Sequence, residues 1–138
     1  MSEETNRTLV QDGYAKFGNG DIPGLLDLFA DDINWTTPKI ENAPFGGALH
    51  GREEVAEFFK LLDESEDITR FEPLQFIAEG DRVAVHGESA ATVKSTGSSY
   101  ETEWVHIFSI RDGKVTTFHE FFDNAAAITR AFQKTAAA

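Results

Sequence analysis

Trp104-Val105-His106-Ile107-Phe108-Ser109-Ile110-Arg111-Asp112-Gly113-Lys114-Val115-Thr116-Thr117-Phe118-His119-Glu120-Phe121-Phe122 reads as two β-strands joined by a tight turn. Side chains on a strand alternate between faces, so a one-residue change of register moves a whole strand's side chains to the other face. A two-residue turn at Asp112-Gly113 pairs Arg111 with Lys114 and puts His106 on a face with His119. A three-residue loop, Arg111-Asp112-Gly113 with Gly113 left-handed as a bulge, pairs Ile110 with Lys114 instead. Trp104, His106, Phe108 and Ile110 then share a face with Thr116, Phe118, Glu120 and Phe122. The other face carries Val105, Ile107, Ser109, Val115, Thr117, His119 and Phe121. Both faces are largely apolar, so neither simply meets water. One is expected to cover helices and a cavity, the other to pack on a second copy of the chain as a homodimer.

Upstream lie two more strand-like runs, residues 71–78 and 82–94, with turns at Glu79-Gly80-Asp81 and Ser95-Thr96-Gly97. Short successive turns make an antiparallel meander with residues 100–110 and 115–122. The first half is helical. Leu9, Val10, Gly13, Tyr14 and Phe17 mark helix one, which ends at Gly18-Asn19-Gly20. Asp21 caps a short second helix with Pro23 in its first turn. Asp31-Asp32 closes that unit, residues 33–37 read as a strand, and residues 38–50 as a long loop. A third helix opens at Gly51 and runs to about Leu62, with Val55, Phe58, Phe59 and Leu62 on one face. Asn124 caps a last helix, 125–132, before an alanine-rich tail, 133–138, that is expected to fray. These elements predict one α+β domain over residues 1–138. A curved antiparallel sheet wraps around the N-terminal helices as a cone with an internal pocket.

Composition narrows the function. The chain has 138 residues, 24 Asp plus Glu against 12 Lys plus Arg, and a net charge of −12, which repels a phosphate backbone and argues against a nucleic-acid partner. Cysteine is absent, which excludes disulfides and thiolate chemistry and fits a cytoplasmic location. The acidic start, Ser2-Glu3-Glu4, lacks the pattern of an export signal, and no apolar run approaches a membrane span. His50, His86 and His119 sit on separate segments without ligand spacing, so no metal site is expected. The loop Asn42-Ala43-Pro44-Phe45-Gly46-Gly47 lacks the spacing and lysine of a phosphate cradle. Asp63-Glu64-Ser65-Glu66-Asp67 reads as a solvated acidic loop.

Several stretches, in order, resemble SnoaL-like and ketosteroid-isomerase-like proteins of the nuclear transport factor two-like superfamily. They are Tyr14-Ala15-Lys16-Phe17, Gly20-Asp21, Leu25-Leu26-Asp27-Leu28-Phe29-Ala30-Asp31-Asp32, Trp35-Thr36-Thr37-Pro38, Gly51-Arg52-Glu53-Glu54-Val55, and the run from His106 to Val115. The resemblance implies a curved sheet over three helices and favours the bulged register. It also implies a pocket at Tyr14, Trp35, Thr37, Trp104, His106, Phe118, Glu120 and Phe122. Ketosteroid isomerases place their carboxylate base where this chain has Thr37, and their neutral acid near His106, so that machinery is absent. Limonene epoxide hydrolases would need Arg and Asp at Gly87 and Ser89. SnoaL-type polyketide cyclases are the nearer match, with a His and an acid at the positions of His106 and Glu120.

These residues point to a cofactor-free acid/base enzyme acting on a small apolar molecule with a carbonyl- or epoxide-like group. Glu120, His106 and Tyr14 are its catalytic candidates, and Trp35, Thr37, Trp104, Phe118 and Phe122 its substrate-binding ones. The competing reading is a non-catalytic ligand-binding or dimerisation module. In it His106 is a hydrogen-bonded core histidine and Glu120 half of a structural ion pair.

Overall fold

The computed structural model describes residues 2–133. In chain order it comprises α1 (Glu3–Gly18), α2 (Ile22–Leu26), β1 (Phe29–Thr37), β2 (Gly47–His50), α3 (Arg52–Ser65), β3 (Glu66–Glu79), β4 (Arg82–Val93), β5 (Ser99–Arg111), β6 (Lys114–Phe122) and α4 (Ala125–Phe132). The strands form one curved, open sheet in the order β2-β1-β6-β5-β4-β3. β3 to β6 are the expected antiparallel meander, and β1 joins it parallel to β6. Of the tail expected to fray, 134–138 lie outside the described residues.

Local chemistry sets the helix ends. Ser2 Oγ accepts from the Thr5 N–H at 3.0 Å, and Glu3 and Glu4 oppose the positive end of the α1 dipole. Gly20, at φ 73°, turns the chain out of α1, and the Asp21 carboxylate then caps α2 through the Gly24 N–H at 3.0 Å. The helices cover the concave face of the sheet. Val10, Leu25, Val55, Phe58 and Phe59 meet Ile33, Trp35, Val83, Val85, Phe108 and Phe118 in the main core. A smaller cluster gathers Ile40, Val93, Ile128, Ala131 and Phe132 under α4.

Four expectations need correction. β1 begins at Phe29, so Asp31 and Asp32 lie within it. Their side chains are exposed while the Phe29 and Ile33 side chains are buried, and Arg52 bonds both the Phe29 carbonyl, at 2.6 and 2.9 Å, and Asp31, at 3.1 Å. Residues 38–50 are not wholly irregular, because Gly47–His50 pairs antiparallel with β1. The acidic run 63–67 is not a solvated loop: α3 extends to Ser65 and β3 starts at Glu66, which pairs with Val93.

The fourth correction concerns the hairpin. Arg111 pairs with Lys114 across a two-residue turn in which Asp112 (φ 52°) and Gly113 (φ 73°) are both left-handed. The extra residue sits further on. Ile110 faces Val115 and Ser109 faces Thr117, leaving Thr116 as the bulge, with its hydroxyl donating to the Ser109 carbonyl at 3.2 Å. The bulge restores the inward register beyond it, so Trp104 faces Phe122, His106 faces Glu120 and Phe108 faces Phe118. Val115, expected on the outer face, points inward and is buried.

Candidate active site

Three elements bring three polar side chains to one point. Tyr14 reaches from α1, and its hydroxyl lies 2.7 Å from His106 Nδ1 on β5. His106 Nε2 lies 2.6 Å from Glu120 Oε2 on β6, its direct cross-strand neighbour. His106 is 4 % exposed and the Glu120 side chain 15 %. The imidazole is also held by rings: Trp104 stacks on it at 4.0 Å with 12° between planes, and Phe118 packs at 4.7 Å. With both nitrogens bonded and Trp104 stacked on it, the ring is held in one orientation.

The proton arrangement follows from which partners can donate. Burial first, and the Glu120 charge second, push the Tyr14 phenol well above its ordinary pKa of 10, so it keeps its proton. The Tyr14 hydroxyl has His106 Nδ1 as its hydrogen-bond partner and donates to it, which leaves the imidazole proton on Nε2, facing Glu120 Oε2. Two protons are thus shared along Tyr14, His106 and Glu120. The structure gives Glu120 Oε1 no hydrogen bond among the described residues.

The three groups line a cavity of about 130 Å³ between the helices and the sheet. Most of its wall is apolar, including Leu9, Val10, Phe17, Phe58, Phe122 and Ile128. It is smaller than the several hundred Å³ of a drug-sized site and comparable to a cavity that holds one benzene ring. Trp35 and Thr37 line it from β1, and Phe118 from β6, where it stacks on Trp35 at 3.8 Å. Trp35 Nε1 and Thr37 Oγ1 are buried and have no hydrogen-bond partner. Trp104 does not line the cavity; it stands behind His106. Its ring needs Gly87 opposite it on β4, since a Cβ there would fall 2.3 Å from two of its ring carbons.

One polar pair was invisible in the sequence. Glu66, 4 % exposed, lines the cavity with Tyr100, whose hydroxyl donates to its Oε2, while Oε1 is buried without a partner. Burial pushes the Glu66 carboxyl from its ordinary 4.5 to about 7, the Tyr100 bond opposes this, and the Glu120 charge adds to it. Burial also pushes Tyr100 upward, and the negative charge of Glu66 adds to it. Elsewhere His50 bonds Asn34 at 2.8 Å, His86 faces Glu103 at 3.5 Å and His119 stacks on Phe121. Among the described residues no group of three or more His, Asp or Glu could hold a metal ion, and no helix is long and apolar enough to cross a membrane.

The family model for the SnoaL-like domain matches residues 10–118. A solved nuclear transport factor two-like protein from Burkholderia xenovorans is 36 % identical, covering 96 % of this chain and 99 % of that one with a TM-score of 0.87. Another, of unknown function, from Burkholderia pseudomallei is 31 % identical over 96 % of this chain and 99 % of that one, with a TM-score of 0.84. TerC, co-crystallised with polyporic acid, is 29 % identical over 93 % and 98 % with a TM-score of 0.82. No curated protein matches the chain.

Proposed function

Because the chain belongs to the SnoaL-like domain family, we propose that it is a cofactor-independent acid/base enzyme of the cytoplasm, acting on a small apolar molecule that bears a carbonyl- or epoxide-like group. The observation that carries this reading is the hydrogen-bonded Tyr14–His106–Glu120 relay in the wall of an apolar cavity. A purely structural ion pair has no need of a cavity beside it.

Glu120 is the base. Its Oε1 removes a proton from the carbon next to the carbonyl, the C–H electron pair passes into an enolate, and the proton returns to another atom of the same molecule. No oxidant or reductant is needed. His106 holds the carboxylate through Nε2–H and keeps Oε1 free, the part an orienting group plays in other relays. The high pKa of Tyr14 rules it out as a resting phenolate base and suits it to a hydrogen-bonding role. The unpartnered Trp35 Nε1–H and Thr37 hydroxyl supply donors for the developing enolate oxygen. Such proton transfer contributes about 10²–10⁴-fold in rate. Phe118 and Phe122 pack the ligand's apolar body, and Trp104 acts by fixing the His106 ring.

Exchange of solvent deuterium into a panel of compact cyclic ketones, followed by NMR, tests the reading. The wild-type protein is expected to speed exchange of at least one ketone and Glu120→Gln to remove that effect. Exchange at the buffer rate for the whole panel, or unchanged in Glu120→Gln, would refute it. The outer face of the β5–β6 hairpin exposes Val105 and Phe121 directly opposite each other, which supports a second copy of the chain as its partner.

A further inference from the structure

The cavity has a second polar pole that the acid/base reading leaves unused. Glu66 enters from the start of β3 and Tyr100 from β5, six residues before His106 on the same face. The Glu120 charge acts on both Glu66 and Tyr100, so the two poles share one small cavity. A buried carboxylate normally has a cation beside it. Glu66 has none among the described residues; the nearby Lys94 instead bonds the Asp63 carbonyl at 2.8 Å and faces Asp67 at 3.7 Å. Glu66 has only the Tyr100 hydroxyl on Oε2, and its Oε1 is sealed from water with no partner. An unmatched buried acceptor destabilises the folded chain, and a ligand polar group would relieve it.

We propose that Glu66, held by Tyr100, is a second ligand-binding residue, and that the substrate class is a compact, single-ring apolar molecule with two oxygen functions on opposite sides of the ring. One oxygen meets the Tyr14–His106–Glu120 relay. The other is a hydroxyl, which satisfies Glu66 in either protonation state: it donates to the carboxylate or accepts from the acid. The wall between the poles is built of Phe, Leu, Ile and Val side chains, which suits a flat hydrocarbon body.

This inference rests on the cavity being a ligand site, and its test reads binding rather than turnover. Binding is titrated by isothermal calorimetry with phenol and with hydroquinone, which differ by one para hydroxyl. In the wild-type protein the second hydroxyl is expected to tighten binding about tenfold, the worth of one good hydrogen bond. Glu66→Leu is expected to abolish that gain and leave phenol, which the relay pole alone can hold, within about twofold, while Glu66→Gln, which still donates and accepts, keeps most of it. Equal binding of the two probes by the wild type, or no binding of either, overturns the proposal, as does a Glu66→Leu variant that keeps the gain. If Glu66→Leu does not fold, difference infrared spectra decide: a carboxyl band absent from Glu66→Gln should shift when hydroquinone binds, and a band that stays in place overturns the proposal. Failure of the acid/base reading would show separately, as absent deuterium exchange with the binding pattern intact.

Discussion

Glu66→Gln isolates the energy stored in one buried carboxyl. The rise of this group from 4.5 to about 7 means that the folded state binds its proton more tightly than the unfolded chain does. At about 1.4 kcal/mol for each pH unit, the difference is about 3 kcal/mol, and with Glu66 buried no discount for solvent screening applies. The sign follows from linkage. The stabilisation is fully present below the unfolded value and is lost as pH rises through about 7, because the folded protein must then either ionise Glu66 in an apolar wall or hold a proton against the solvent. Glutamine mimics the neutral form at every pH. Wild type and Glu66→Gln should therefore be similarly stable at about pH 4, and at about pH 8 the variant should be more stable by most of that 3 kcal/mol. Urea unfolding followed by tryptophan fluorescence at the two pH values reads the difference directly, since the other carboxylates cancel between the proteins. Tyr100 and Glu120 are the titratable groups that act on Glu66. Parallel stability curves for the two proteins, or a gap that opens at acid rather than alkaline pH, would refute the argument.

Gly87→Ala places a methyl 2.3 Å from two Trp104 ring carbons and 2.6 Å from the Glu72 carbonyl oxygen; a loss of about 1–3 kcal/mol or more is expected in thermal unfolding, and an unchanged melting temperature would mean that Trp104 moves freely. Tyr14→Phe strips His106 Nδ1 of its partner and should destabilise the fold by about 1–3 kcal/mol, measured in urea; a neutral effect would place a water or another donor at Nδ1. Phe121→Glu puts a charge on the exposed face of β6, where Phe121 is 45 % accessible; sedimentation should show wild-type dimers falling to monomers, and an unchanged distribution would remove that face from the interface.

Much of the fold was legible because its signals are local. The spacing of Leu9, Val10, Gly13, Tyr14 and Phe17, the cap at Asp21 and the glycine turns each act within a few residues, and α1, α2, α4 and the meander follow them. The inward pair His106 and Glu120 was also legible, although through a different device from the one expected. The turn contains two residues rather than three, and Thr116 restores the inward facing that Gly113 was expected to set, with His106 opposite Glu120 rather than Phe118. Asp112-Gly113 permits either turn, so only pairing along the whole hairpin decides between them. β2 was missed because four residues carry too little pattern, and its existence depends on β1 lying beside it. Glu66 was hidden for a related reason: β3 changes register between Ile68 and Arg70 and again around Pro73. Alternation read back from Phe71 therefore does not reach Glu66, and composition alone sends an acidic run to the surface.

Nitrogen-15 NMR of the histidine rings tests the central claim, that Tyr14, His106 and Glu120 form one proton-sharing unit, most directly. At neutral pH His106 should show a protonated Nε2 and a bare, hydrogen-bonded Nδ1, with Tyr14→Phe shifting chiefly Nδ1 and Glu120→Gln chiefly Nε2. The opposite tautomer, or a His106 ring indifferent to both substitutions, would contradict the relay and with it the proposed chemistry.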